Sequence, residues 1–359
     1  MDFLPRKIRV LIVDDSALVR KLLKDIINDD PDMEVAGIAA NGVEAIRAVA
    51  ELQPDVMTMD IHMPEMDGLT ALEYIMRKMP LPVVMLSAMA QRGAAATIKA
   101  LELGAVDFIT KPSHYPSAVK EVREEVILKI KTAFQARERV KRGYPKPRER
   151  RRALPVIKPG RQEKLVVIGA SAGGPRALAE IMPMFPRDIP AAIVIVQHMP
   201  SVFTRSFAAR LNAISELPIR EAEEGEEIKP GTVLVAPGGK DLIVSLDRSG
   251  LGRVELMDSA NRTGATPRID TTMITAAETF GPRTIGVIMT GMGSDGARGM
   301  ERIKKNRGST IAQDEASCLV FGMPKVAIDR GHVDWVVSLE KIPEKVLELL
   351  QAPEQEPSR

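Results

Sequence analysis

The run Leu165-Val-Val-Ile-Gly-Ala-Ser171-Ala-Gly-Gly-Pro175 constrains this chain more than any other stretch. Four apolar residues, three of them β-branched, read as a buried strand. A turn of small residues follows, and Pro175 stands where a helix begins, ahead of Arg176-Ala-Leu-Ala-Glu-Ile-Met. A serine at such a turn faces the amides and the positive dipole end of a helix, where negative charge is favoured. Gly169, Gly173 and Gly174 let another group approach the backbone closely. The turn suits a nucleophile or a bound phosphate, and by itself it does not choose.

The rest of the chain repeats the same strand-to-helix rhythm. Strands are predicted over 7–13, 35–39, 56–59, 83–86 and 106–109, with helices over 16–27, 43–52, 69–78, 94–103 and 119–134. Five βα units in about 130 residues predict an α/β fold, a doubly wound parallel sheet of five strands. A second series starts at Leu165, with a strand over 192–196, a helix over 203–213, and further elements over 271–279, 284–289 and 298–305. Between Ile219 and Met257, Pro-Gly and Gly-Gly turns separate short strands, which predicts an antiparallel insert in a mainly parallel α/β domain.

Between the two series the periodicity fails. From Gln135 to Lys164 there are twelve Lys/Arg and three Glu, a net +9, in a chain whose formal charge is only +2. Proline and like charge predict an extended linker. The expected organisation is a domain over 1–134, a linker over 135–164, a second domain over 165–350 and a disordered tail over 351–359. Apolar runs stop at about eight residues where a membrane span needs roughly 20. Met1-Asp2-Phe-Leu-Pro has no apolar signal region, and the single cysteine, Cys318, excludes an internal disulfide and a thiolate metal cluster. A cytoplasmic protein is expected.

Two groups of residues collect at strand ends. In the first domain Asp14 and Asp15 follow the first strand, Asp60 the third, Ser87 ends the fourth and Lys111 the fifth. The carboxyl ends of parallel strands share one edge, where ligands bind. Three carboxylates there call for a hard divalent cation such as Mg²⁺, and a lysine beside a hydroxyl suits a phosphoryl group. This region resembles a response-regulator receiver domain. The resemblance implies Asp60 as phosphoacceptor and Asp14 and Asp15 as the acid pair for Mg²⁺, with the main-chain carbonyl of His62 as a further ligand beside Asp60. It also implies Ser87 and Lys111 as phosphate-sensing residues and Phe108 as the switch aromatic. The His62 side chain is expected to face solvent.

In the second domain Ser171 needs a base. His198 ends the strand 192–196, and Asp295 lies in the glycine-rich turn after the strand 284–289. Serine, histidine and aspartate at three strand ends suit nucleophilic acyl transfer: His198 takes the serine proton, Asp295 orients the imidazole, and backbone amides at Ala172 and Met292 hold the oxyanion. The order Ser-His-Asp along the chain differs from that of the α/β-hydrolases, chymotrypsin and subtilisin.

Four segments, Gly169-Ala-Ser171-Ala-Gly-Gly, Gln197-His198-Met-Pro, Thr290-Gly-Met292-Gly-Ser-Asp295-Gly and Ala312-Gln-Asp-Glu-Ala-Ser-Cys-Leu-Val-Phe-Gly-Met-Pro324, resemble the catalytic domain of the chemotaxis protein-glutamate methylesterases, the CheB family. The resemblance implies a phosphorylation-activated hydrolase that removes methyl esters from glutamates of chemoreceptors, releasing methanol, and that deamidates receptor glutamines. The implied partners are the cytoplasmic helices of methyl-accepting chemoreceptors as substrate, the histidine kinase CheA as phosphodonor, and the methyltransferase CheR in opposition. It further implies an unphosphorylated receiver that restrains the active site. No cofactor is expected for ester hydrolysis, no DNA, no membrane insertion and no partner copy. Two departures stand out: Ala172 replaces a threonine common in relatives, and Ala236-Pro-Gly-Gly-Lys-Asp241 lacks a histidine that relatives often carry.

The same residues allow other readings. A DNA-binding regulator would use the +9 stretch, but that stretch has prolines and no helix-turn-helix pattern. A nucleotide-binding regulator would use Gly169–Gly174 as a phosphate loop, but the segment has neither G-x-G-x-x-G nor a P-loop lysine. A non-enzymatic scaffold is disfavoured by the complete set of Ser171, His198 and Asp295.

Overall fold

A computed structural model describes residues 6–88, 91–111, 119–143, 164–258 and 265–351. The chain forms two compact units, Met1–Lys146 and Pro147–Arg359.

In the first unit β1 (Ile8–Val13), β2 (Met33–Ala39), β3 (Val56–Asp60), β4 (Val83–Ala88) and β5 (Asp107–Lys111) form a parallel sheet in the order β2-β1-β3-β4-β5. The central strands are buried on both faces, which is why they read as continuous apolar runs. Helices Ala17–Asn28, Gly42–Leu52 and Gly68–Lys78 begin at Ser16, Asn41 and Asp67, whose side chains accept the amides of Val19, Glu44 and Thr70. Helices Gln91–Leu103 and Val119–Gln135 complete the winding. The stretch expected to be linker from residue 135 starts with another short helix, Arg137–Lys141. Its charge hid an apolar contact: Ala136 and Val140 are buried, and the Arg137 guanidinium stacks 4.4 Å from the Phe134 ring. The remaining linker, 144–163, and the tail from 352 lie outside the described residues, as does His114.

The second unit is built on a seven-stranded parallel sheet. Its strands are β6 (Lys164–Ala170), β7 (Ala191–Gln197), β8 (Ile219–Glu221), β9 (Val233–Val235), β12 (Thr284–Ile288), β13 (Ser309–Gln313) and β14 (Trp335–Val337), in the order β14-β13-β12-β6-β7-β9-β8. Between β9 and β12, β10 (Lys240–Leu246) and β11 (Gly252–Asp258) pair antiparallel as a separate hairpin. The antiparallel insert expected over 219–257 is therefore limited to this hairpin. β8 and β9 join the parallel sheet because Val233-Leu-Val235 is fully buried and pairs in register with Ile193–Ile195 of β7. The sheet grows from β6 toward β7 on one side and toward β12 on the other. Its switch point lies at β6 and β12, and a crevice outside the carboxyl ends of such strands is where doubly wound sheets bind ligands. A core of Leu165, Val167, Val194, Met273, Ile288 and Met300 fixes these strands against the helices Ile269–Phe280 and Ala297–Lys305.

Candidate functional site

β6 delivers Ser171 to the switch point, and its backbone is tied on several sides. Its N–H donates to Thr290 O at 3.0 Å, and its carbonyl accepts Gly174 N at 2.8 Å and Gln197 Nε2 at 3.0 Å. Gly173, at φ +76°, turns the chain into the helix Gly174–Ile181. The turn after β12 approaches so closely that a Cβ at Gly291 would stand 2.7 Å from Ser171 Cβ. Met292 is the next residue along this turn.

The structure brings together all three residues expected to carry acyl transfer. His198 follows β7, and its N–H donates to Ala170 O at 3.1 Å. Its Nδ1 lies 3.1 Å from Ser171 Oγ and its Nε2 lies 2.8 Å from Asp295 Oδ2. Asp295 also accepts Ile269 N on Oδ2 at 2.8 Å, and Asp270 N and Gly296 N on Oδ1 at 2.9 and 3.0 Å. Burial pushes the Asp295 carboxyl up, but the His198 contact and the amides of Asp270 and Ile269 outweigh it and hold the group below the usual carboxylate range. The arrangement is a serine within reach of a base whose other nitrogen is pinned by an ionised, multiply bonded carboxylate. It can generate an alkoxide and stabilise the imidazolium that results.

Three supporting residues escaped the sequence reading. Gln197 is buried and donates from Nε2 to the carbonyls of both Ser171 and His198, at 3.0 and 3.1 Å. Thr290 Oγ1 donates to Ala172 O at 2.9 Å and accepts Val320 N at 3.0 Å, which joins the turns after β6 and β12. Gln313 Oε1 accepts Thr290 N at 2.8 Å. Gln197 and Thr290 flank the predicted catalytic residues in sequence, and that adjacency was the available signal.

In the first unit the expected groups meet at the carboxyl edge of the sheet. Asp14 and Asp60 are buried, and Lys111 Nζ stands 2.7 Å from Asp14 Oδ2 and 2.8 Å from Asp60 Oδ2. Burial pushes the Asp14 carboxyl up, against the pull of Lys111 and the Ser16 amide, and the neighbouring Asp60 adds to the rise. Lys111 is itself raised: burial lowers it, and the two carboxylates more than compensate. Carboxylate oxygens of Asp14, Asp15 and Asp60 lie within 4.8 Å of one another. An all-oxygen donor set of three clustered carboxylates fits Mg²⁺. The His62 side chain is exposed. Ser87 Oγ is engaged by Thr97 Oγ1 at 2.7 Å, and Phe108 is buried, with Lys129 Nζ 5.0 Å from its ring centroid and bonded to its carbonyl.

Comparison with known proteins places both units. Residues 166–346 match the model of the CheB methylesterase family and residues 10–123 that of the response regulator receiver domain. The protein-glutamate methylesterase/protein-glutamine glutaminase of Pyrococcus horikoshii is 51% identical over 358 residues, covering 98% of this chain and 96% of that protein. The protein of the same name from Thermotoga maritima is 47% identical, covering 96% and 99%. The crystal structure of the Thermotoga maritima CheB methylesterase catalytic domain superposes with a TM-score of 0.51 at 47% identity, covering 52% of this chain and 99% of that one.

Proposed function

This chain belongs to the CheB methylesterase family, with a receiver domain ahead of its catalytic domain, and we propose that Ser171, His198 and Asp295 perform its ester hydrolysis under control of phosphorylation at Asp60. It is a protein-glutamate methylesterase and protein-glutamine glutaminase of chemotactic adaptation. The observation that carries the residue assignment is the unbroken line Ser171 Oγ, His198 Nδ1, His198 Nε2, Asp295 Oδ2, at 3.1 and 2.8 Å.

The chemistry follows from that line. His198 Nδ1 takes the proton of Ser171 Oγ as the oxygen attacks the glutamyl ester carbonyl. The oxyanion forms between the amides of Ala172 and Met292, each such donor contributing roughly 3–4 kcal/mol. His198 returns the proton to the departing methoxide, and methanol leaves an acyl-serine. A water, deprotonated by the same nitrogen, then releases the glutamate carboxylate and restores Ser171. With glutamine the leaving group is ammonia. Asp295 stays ionised throughout and holds the imidazole. Ala172 supplies its amide with no side-chain hydroxyl of its own, so the backbone carries the oxyanion role at this turn.

In the receiver domain, Asp14, Asp15 and Asp60, with the carbonyl of His62, would hold Mg²⁺, which offsets the charge of an incoming phosphoryl group when bound. Asp60 accepts that group from a phosphodonor kinase. Lys111 and Ser87 then meet its oxygens, and Ser87 exchanges its Thr97 contact to do so, which ties the event to the helix Gln91–Leu103. The kinase read from the family is CheA, and the substrate is the cytoplasmic helices of methyl-accepting chemoreceptors. Among the described residues no helix is long and apolar enough to cross a membrane, and action from the cytoplasm on receptors fits the assignment.

A fluorophosphonate probe tests the nucleophile. Peptide mapping should find the adduct on Ser171, and methylated receptor should slow its formation. A small phosphodonor tests the receiver: label should appear on Asp60 with Mg²⁺, and neither in excess chelator nor in Asp60→Asn. An adduct on another serine, or stable label on Asp60→Asn, would overturn the corresponding assignment.

A further inference from the structure

The carboxylate that orients His198 is itself held by an exchange between two helices. Asp295 lies just ahead of the helix Ala297–Lys305, yet its oxygens accept Ile269 N and Asp270 N, at 2.8 and 2.9 Å, in the first turn of the other helix, Ile269–Phe280. Asp270 does the reverse: from that first turn its Oδ1 accepts Gly299 N at 2.8 Å, in the first turn of Ala297–Lys305. Each helix thus has N-terminal amides, unpaired within the helix, satisfied by the other's aspartate, and each dipole faces a carboxylate. The approach is close. A Cβ at Gly299 would stand 2.4 Å from Met273 Cβ, and one at Gly296, already at φ +89°, would stand 2.9 Å from Ile269 Cγ2. The two turns therefore have little freedom to move independently while both carboxylates are in place.

We propose that Asp270 is a positioning residue for the triad, fixing through Gly299 the turn that presents Asp295 to His198. The inference rests on the assignment of Ser171, His198 and Asp295 as the catalytic line. Asp270 touches neither substrate nor the reacting atoms. It acts by tying the carrier of Asp295 to the helix whose amides bind Asp295. Arg298, at the start of Ala297–Lys305, lowers Asp270 by its charge, and His198 bonds Asp295. Behind them the buried Asp241 on β10 accepts Arg268 N at 2.8 Å. The two aspartates divide the burden of proximity: burial and the Asp295 charge push Asp270 up, while Asp295 stays low.

The test compares Asp270→Ala and Asp270→Asn with the parent full-length protein, reading methanol release from methylated chemoreceptor, with Ser171→Ala in parallel. Asp270→Ala leaves Gly299 N–H unpaired and should lower kcat roughly 10–100-fold with KM within about twofold, the scale of a small misplacement of catalytic groups. Asp270→Asn keeps an oxygen for Gly299 and should retain kcat within about threefold at neutral pH. Recovery of kcat in Asp270→Asn, which restores the oxygen but not the charge, separates positioning from electrostatics. A folded Asp270→Ala with parental kcat would overturn the proposal. Should Asp270→Ala fail to fold, Asp270→Glu decides, since its longer side chain displaces the oxygen from Gly299 N: a lowered kcat with KM within about twofold supports the proposal, and a parental kcat overturns it. Activity in Ser171→Ala would instead sink the triad assignment, which keeps the two failures distinct.

Discussion

The nitrogen of His198 that meets Ser171 Oγ is Nδ1, at 3.1 Å. In the serine-protease arrangement Nε2 meets the serine and Nδ1 the aspartate. Here the ring is used in the opposite sense, and the resting neutral imidazole must carry its proton on Nε2, donated to Asp295 Oδ2 at 2.8 Å.

Nitrogen-15 NMR of histidine-labelled protein should therefore show neutral His198 as the Nε2–H tautomer. Asp295→Asn can offer an amide donor to Nε2 and force the proton onto Nδ1, where it points at Ser171. We expect kcat to fall by roughly 10⁴-fold, the scale seen when a triad aspartate is made neutral. A resting Nδ1–H tautomer in the parent protein would contradict this reading.

Gln197 links the nucleophile and the base through their carbonyls, at 3.0 and 3.1 Å. Gln197→Met keeps the shape and removes both donations. It should cost about 1–3 kcal/mol in chemical denaturation, the range for stranding buried acceptors, and lower kcat more than it raises KM. Unchanged stability and kcat together would show that the contacts have no influence on the site.

Asp14 is buried with a carboxyl raised by that burial. A raised folded-state value means that the fold binds a proton more tightly than the unfolded chain. Stability from this group is present at low pH and is lost as pH rises from the ordinary value of 3.8 through the raised one. Asp14→Asn should accordingly raise the melting temperature of the Mg²⁺-free receiver at neutral pH, flatten its dependence on pH above about 4, and weaken Mg²⁺-dependent phosphorylation. A lower melting temperature at neutral pH would contradict the electrostatic reading.

The sequence made Ser171, His198, Asp295, Asp14, Asp60 and Lys111 legible for one reason: each stands at the carboxyl end of a strand, and parallel sheets gather those ends. The supporting contacts were not legible, because they join elements far apart in the chain. Asp270 and Gly299 are 29 residues apart, and Thr290 and Ala172 are 118 apart. The three-residue strands Ile219–Glu221 and Val233–Val235 were too short for periodicity to set their direction, and their partner, β7, decided it. The choice of Nδ1 over Nε2 depends on ring orientation, which no residue pattern carries.

Control by the receiver makes a kinetic prediction. A restraint of about 1–3 kcal/mol corresponds to roughly 5–150-fold regulation. A folded fragment starting near Gln162 should exceed the unphosphorylated full-length protein in basal esterase rate by a factor in that range. A phosphodonor should speed the full-length protein and leave the fragment unchanged. Equal basal rates would leave phosphorylation to act by activation or recruitment instead.

On the proposed assignment Ser171 and His198 together hydrolyse the glutamyl methyl ester. Methanol release from methyl-labelled chemoreceptor measures this, for the parent, Ser171→Ala, His198→Ala and the double variant, each shown to be folded. The parent should release methanol, and faster with a phosphodonor. Each single variant should lose nearly all activity, and the double variant should be scarcely worse than either, because the residues act as a unit. Parental methanol release from folded His198→Ala or Ser171→Ala would contradict the account.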